Sequence, residues 1–236
     1  MSNIMLGVPS HRGGFPTEYV KSLWSFNLTG NATWLPVEGL AVDVARNLIV
    51  SQFLQSNSDY LLMHDSDAVW HPDAIMRLLS LDLPVVSAVI YQRRFPTVPF
   101  IGRLDQIKEN GDFLYSFVHA AGQVIDVALR NQYEPPDSEV LPPLFEEDVV
   151  ETIDACGSHF VLIRRDVLES IEPPYYQITH PPNAGEDFYF CRKVKEAGFD
   201  LYVNYSVHTG HVAGEGVVIG LREFFIYSYL KEQMNA

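Results

Sequence analysis

Two carboxylates stand one residue apart where an apolar run stops. The stretch "DYLLMHDSD", residues 59–67, ends in His64, Asp65, Ser66 and Asp67. In an extended segment residues i and i+2 point to the same side, so Asp65 and Asp67 face one point. Two like charges that close are unfavourable and raise each other's pKa. A divalent cation removes the penalty, and hard oxygen ligands suit Mg²⁺ or Mn²⁺, which often also hold a substrate's phosphates. Aspartate is equally at home in turns and helix caps, and this stretch alone leaves that reading open.

Two later stretches carry related chemistry. "GEDFYF" puts Glu186 and Asp187 at a helix start, where the helix dipole favours negative charge; an ordinary acidic first turn looks the same. "VHTGHVAG" puts His208 and His211 after a strand, among small residues. A neutral imidazole is a good ligand for transition metals such as Mn²⁺, although a lone histidine is more often a packed one.

The elements that must position these groups follow an α/β rhythm. Residues 3–10, 32–39, 59–64 and 83–91 read as strands; 16–27, 40–57 and the segment after Pro72 read as helices. In the second helix Leu40, Val44, Leu48 and Phe53 are expected on the core face. This βαβαβαβ order implies a mainly parallel sheet with helices on both faces. Such sheets bind ligands beyond the carboxyl ends of their strands, where Asp65 and Asp67 fall. Residues 95–118 read as loops and short strands. Residues 131–148, with four prolines and six acids, read as a surface loop and a candidate acceptor lid. Two strands around Gly157 and a helix follow over 149–171. Then come a helix over 185–199 ending at Gly198, a strand over 200–207 and a C-terminal helix over 221–234. No linker separates two domains, so 1–236 is expected to be one catalytic domain. Its nucleotide half covers about 1–100, its acceptor half about 101–220, and a C-terminal helix 221–236.

The totals narrow the class. The chain has 236 residues, 47% hydrophobic and 12% aromatic, ample for a core. Two cysteines are too few for a disulfide framework and, with no signal-peptide pattern, make the cytoplasm the expected compartment. No apolar run approaches the ~20 residues that span a bilayer. Asp and Glu outnumber Lys and Arg 30 to 16, for a net charge of −14. That argues against gripping duplex nucleic acid, which calls for a basic face, but not against one small anion held by a metal and a few arginines.

Taken in order, "ARN", "DYLLMHDSD", "GSHFVLIRRDVLE", "GEDFYFCRKVKEAGFDLYVN" and "GH" resemble the small nucleotide-sugar-dependent glycosyltransferases of the GT-A fold, of a stand-alone bacterial or phage type, over about residues 3–212. The resemblance implies a Rossmann-like, mainly parallel sheet with a smaller antiparallel sheet on the acceptor side. It implies a UDP- or GDP-sugar donor, Mn²⁺ or Mg²⁺ as cofactor, and a glycan, small molecule, protein or modified nucleobase as acceptor, in the cytoplasm of a bacterial or phage-infected cell. It makes Asp67 a direct metal ligand and gives Asp65 the ribose or a water-mediated metal contact. His211 occupies the position of the family's metal-binding histidine; His208 departs from the usual residue, so the choice between the two stays open. Asp187 implies a general base or a group that orients the sugar, and Glu186 a ligand of acceptor or sugar hydroxyls. Pro9, Ser10 and Arg12, at the end of the first strand, stand where the family holds the nucleotide. Arg46 is expected on base or phosphate, and Arg93 and Arg94 on the diphosphate or sugar, since a guanidinium fork suits phosphate. Gly157 and Ser158 stand where the family binds a sugar. Trp70 is a core residue or a sugar platform.

Two competing functions use similar residues. A metal-dependent phosphoesterase often holds two metals ~3.5–4 Å apart and needs more ligands than these. A non-catalytic nucleotide- or carbohydrate-binding module needs neither carboxylate pair intact.

Overall fold

The computed structural model describes residues 2–10, 14–28, 30–107, 109, 113–138, 141–178 and 185–230. The elements run β1 (Ile4–Ser10), α1 (Thr17–Ser25), β2 (Ala32–Glu38), α2 (Val42–Gln55), β3 (Tyr60–His64), β4 (Ala68–Trp70), α3 (Ala74–Ser80) and β5 (Val85–Val89). After these come β6 (Ile101–Ile107), β7 (Phe113–Ser116), α4 (Val118–Arg130), β8 (Val150–Ile153), β9 (Ala155–Cys156), β10 (Phe160–Arg164) and α5 (Arg165–Glu169). The last are α6 (Glu186–Glu196), β11 (Leu201–Val212), β12 (Val218–Ile219) and α7 (Leu221–Phe225), which runs on into a π-helical turn, Ile226–Leu230.

The central sheet is ordered β12-β11-β5-β10-β3-β1-β2, with β4 and β8 paired to β11 off that path. β1 is parallel to β2 and β3, and β11 to β5. A smaller antiparallel sheet is ordered β7-β6-β9. The mainly parallel α/β layout is therefore as the sequence implies, although β4, β8 and β12 pair antiparallel with β11. β10 enters the sheet antiparallel between β3 and β5, a direction that the sequence reading leaves open.

Strands buried on both faces are expected to be apolar, and β1 is so up to Pro9 and β3 up to Met63. Their alternate residues enter two cores. Ile4, Leu6 and Leu62 join Tyr19 of α1 and Ile75 and Leu78 of α3 on one face. Met5, Leu61 and Met63 join α2 and α4 to α7 on the other. Trp70 is fully buried in the first of these cores and is no sugar platform.

The core face of α2 is not the expected one. Ala45, Arg46, Ile49, Val50 and Phe53 are buried, while Leu40, Val44 and Leu48 are exposed. Residues 45, 49 and 53 form an i, i+4 stripe about 100° round from 44 and 48, and apolar side chains on both stripes make the periodicity ambiguous. Contact with the sheet selects the Ile49 stripe, because Gly7 of β1 lies directly beneath Ile49. Helix α4, with Ala120, Val124, Val127 and Ala128 buried, falls where the sequence reading has no element.

The loop after α4 is also firmer than expected. Arg222 donates to the carbonyls of Pro136 and Asp137. Phe145 is buried, and its N–H donates to the Ser206 carbonyl of β11 (2.9 Å). Arg77 holds the Glu146 carbonyl and pairs with Asp148. The described parts of this loop are strapped to β11, α3 and α7, which argues against a hinged acceptor lid. Among the described residues no helix is long and apolar enough to cross a membrane.

A methyl group at Gly7 meets Ile49 Cγ2 at 2.4 Å and Leu61 Cδ1 at 3.1 Å. Gly7→Ala is expected to lift α2 and cost about 1–3 kcal/mol, the usual cost of overpacking. Urea denaturation of the two proteins measures it, and equal midpoints would show that α2 does not depend on this contact.

Candidate metal centre and facing carboxylates

Strand register brings the site together. Phe160 of β10 pairs with His64 at the end of β3, so His159 comes opposite Asp65, whose N–H donates to the His159 carbonyl (3.1 Å). The chain then turns, with Ala68 N–H donating to the Asp65 carbonyl, and β4 pairs antiparallel with β11 so that His211 faces Ala68. Val212 N–H donates to the Asp67 carbonyl (2.8 Å). Three segments far apart in sequence thus place Asp65, Asp67, His159 and His211 together, with one ligand atom from each within 4.8 Å of the others.

The donor set fits a divalent cation. His159 Nε2 lies 3.2 Å from the Gly210 carbonyl; a carbonyl only accepts, so Nε2 carries the proton. Its Nδ1 then faces Asp65 Oδ2 at 3.3 Å and Asp67 Oδ1 at 3.9 Å. A lone pair facing two carboxylates needs a proton or a metal ion between them. A histidine whose second nitrogen is fixed by a carbonyl is the usual arrangement of a metal ligand. The His211 ring lies tilted against His159 with centroids 3.6 Å apart, and among the described residues its buried Nδ1 has no hydrogen-bond partner.

Electrostatics point the same way. Burial pushes the Asp65 carboxyl up, but Arg46 and His159 outweigh it and hold it well below the usual range. Asp67 is raised, first by burial and then by Asp65. His159 is raised: burial opposes its charge, and the bond to Asp65 overrides burial. His211 is lowered by burial and by His159, which keeps it neutral and able to ligate.

A second pair of acids faces this group. Glu186 and Asp187 form the first turn of α6. Between them and Asp65 lies Arg46 of α2, only 3% exposed. Its Nη1 donates to Glu186 Oε1 (2.6 Å) and to Asp187 Oδ1, and its Nη2 to Asp65 Oδ1 (2.9 Å). Arg46 is therefore committed to protein carboxylates rather than to a base or phosphate. Gly157 borders the same place: a Cβ there would lie 2.8 Å from Phe100 Cδ1 and 3.8 Å from Asp187 Oδ2.

Asp65, Asp67 and Arg46 open on a cleft of ≈ 510 Å³ that Pro9, Ser10, Glu186 and Asp187 also line. A second hollow of ≈ 450 Å³ shares Ser10, Ser66, Asp67 and Arg93 with it. Ser10 Oγ is buried without a partner. Arg93 is mostly exposed and donates to Asp67 Oδ2 (2.7 Å). Arg94 beside it is exposed and does not line the cleft. Arg12 lies outside the described residues.

Two differences from the sequence reading concern histidines. His208 is not at the metal group. Its side chain is fully buried, shares a 2.8 Å hydrogen bond with Tyr91 Oη and meets the edge of Phe145. Residues three apart in a strand point to opposite faces, so only one of His208 and His211 can face Asp67. His159 was passed over as a ligand. Its only signal is the "GSHF" entry to β10, which becomes informative once β10 is known to run antiparallel beside β3.

No family model and no curated protein matches the chain. Solved structures do. A197 from STIV superposes with a TM-score of 0.57 at 18% identity, covering 93% of each chain. GalNAc-T7, solved with UDP, GalNAc and Mn²⁺, gives a TM-score of 0.54 at 12% identity. That match covers 89% of this chain and 44% of that one, so this chain spans less than half of it. The fold is GT-A-like. At these identities the likeness concerns the fold alone.

Burial lowers the His208 pKa from its ordinary value to about 3. The unfolded chain takes up that proton near pH 6.5, and the folded chain only near 3, so the group costs nothing above pH 6.5 and destabilises as pH falls. By linkage it is expected to remove about 3 kcal/mol of stability between pH 7 and 4.5. Urea melts of the native protein and His208→Gln at both pH values test this. The variant should show the smaller pH dependence, and identical slopes would mean His208 titrates normally.

Proposed function

We propose that the chain is a metal-dependent glycosyltransferase that moves a sugar from a nucleoside-diphosphate donor, UDP- or GDP-linked, to an acceptor nucleophile. The observation that carries this reading is the convergence of Asp65, Asp67, His159 and His211 on one point, beside a cleft that Asp65 and Asp67 line together with Glu186 and Asp187. The GT-A-like fold adds to it.

On this reading Asp65, Asp67, His159 and His211 hold the cation. Two imidazoles among four ligands favour Mn²⁺ over Mg²⁺, which prefers oxygen donors. Such an ion, when bound, supplies the charge that stabilises a departing diphosphate. Arg93, exposed at the rim, can leave Asp67 and turn its fork to the diphosphate. Pro9 and Ser10 border the nucleoside. Asp187 uses the oxygen not held by Arg46, on the Gly157 side, to take a proton from the acceptor or to orient the sugar. Glu186 binds hydroxyls of sugar or acceptor. The acceptor is a glycan, a small molecule, a protein or a modified nucleobase. Two buried thiols with no disulfide are at home in a reducing cytoplasm. A two-metal phosphoesterase is disfavoured because, among the described residues, the ligands form a single group.

Isothermal titration with UDP and GDP, with and without Mn²⁺, tests the donor site. Binding is expected to require the metal. Asp67→Ala should weaken metal-dependent binding at least about tenfold, the loss of a good charged ligand. At Mn²⁺ concentrations that saturate the site, Asp187→Ala should bind the diphosphate within about threefold of native yet lose about 10²–10⁴ in transfer. Diphosphate binding indifferent to Mn²⁺ would sink the reading, and binding with no donor turnover would leave a binding module.

A further inference from the structure

We propose that Arg46 is a positioning residue that makes the cation group and the Glu186–Asp187 pair one mechanical unit. The proposal rests on reading Asp65, Asp67, His159 and His211 as a cation site; it does not depend on sugar transfer.

The Arg46 side chain touches both groups of acids at the cleft. It reaches Asp65 through Nη2, and Glu186 and Asp187 through Nη1. Helix α2 carries it there because Ile49, one turn on, is seated over Gly7. Tyr176 covers the guanidinium at 5.5 Å from its ring centroid. Burial opposes the charge, but Asp187, Asp65 and Glu186 outweigh it and hold the pKa above that of a free arginine. The side chain is a fixed cation in every state of the site.

Its geometry does more than balance charge. Arg46 occupies one oxygen of Asp65 and one of Asp187. The remaining oxygen of Asp65 faces His159, and that of Asp187 faces Gly157. A planar fork sets carboxylate orientation in a way that a point charge cannot. Asp65 is thus shared, with Oδ1 on Arg46 and Oδ2 in the cation group. An ion drawing on Asp65 alters what Arg46 offers to Asp187, and a change at Asp187 alters Asp65 as a ligand. Coupling of this kind is reciprocal.

A double-mutant cycle reads the coupling without any donor. Mn²⁺ dissociation constants are measured by electron paramagnetic resonance on the full chain for native, Asp187→Asn, Arg46→Lys and the double variant. Arg46→Lys keeps the charge and loses the fork, and circular dichroism confirms that each variant folds. Asp187→Asn, outside the ligand group, should weaken Mn²⁺ about tenfold in the native background and less than about threefold beside Arg46→Lys, a non-additivity typical of residues sharing one network. Arg46→Lys should also lower kcat about 10²-fold while donor KM moves less than about fivefold, the mark of lost alignment. Additive effects on Mn²⁺, or a native kcat in Arg46→Lys, overturn the proposal and leave the glycosyltransferase reading standing. A non-additive cycle in a chain that turns over no donor supports the coupling and removes that reading. A native chain that binds no Mn²⁺ overturns both.

Discussion

The site depends on a guanidinium buried among three carboxylates. Arg46 lies against Asp65, Glu186 and Asp187, from three distant parts of the chain. Removing one partner of a buried charge group leaves the others uncompensated, at a typical cost of 3–5 kcal/mol. The carboxylates cannot sit together without the arginine, and the arginine cannot be buried without them. Much of the surrounding fold serves this one contact. Gly7 lets α2 close on the sheet, Tyr176 covers the guanidinium, and α6 presents Glu186 and Asp187 in its first turn.

The second constraint is the direction of β10. A parallel strand beside β3 would carry its start to the far end of the sheet. Running antiparallel, β10 begins where β3 ends and puts His159 beside Asp65. The short pairing of β4 with β11 then returns His211 to the same end. One reversed strand and one three-residue strand convert a pair of aspartates into a mixed oxygen and nitrogen ligand group.

These facts mark what could be read from the sequence. Asp65 with Asp67, and Glu186 with Asp187, were legible because each pair is local: the side chains are neighbours in sequence and leave a strand or enter a helix together. The strands β1, β3 and β5 were legible because burial on both faces demands unbroken apolar runs. His159 was not legible, since its role comes from the register of strands nearly a hundred residues apart in sequence. The choice between His208 and His211 turned on which face of β11 each occupies, and a bulge between Asn204 and His208 hides that from simple alternation. Arg46 reads as a partner for base or phosphate, because nothing local shows that protein acids already claim it. The wrong face of α2 has the same origin: two apolar stripes compete, and only the glycine on the neighbouring strand decides.

The charge count at the cleft carries a consequence for the order of events in the proposed reaction. Asp65, Asp67, Glu186 and Asp187 face Arg46 and Arg93, four negative groups against two positive, in a chain of net charge −14. Asp67 and Glu186 are both raised, first by burial, with a neighbouring acid adding to each. A nucleoside diphosphate approaching this surface meets repulsion, both from the cleft and from the whole chain. A divalent cation meets attraction. On the proposed reading the metal therefore enters first, or together with the diphosphate as its complex, and the free anion does not bind alone. The same imbalance explains how Arg93 can serve two partners. Arg93 pairs with Asp67; on the proposed reading an ion held by Asp67 would take over that neutralisation, and the exposed guanidinium would be free to meet the phosphates.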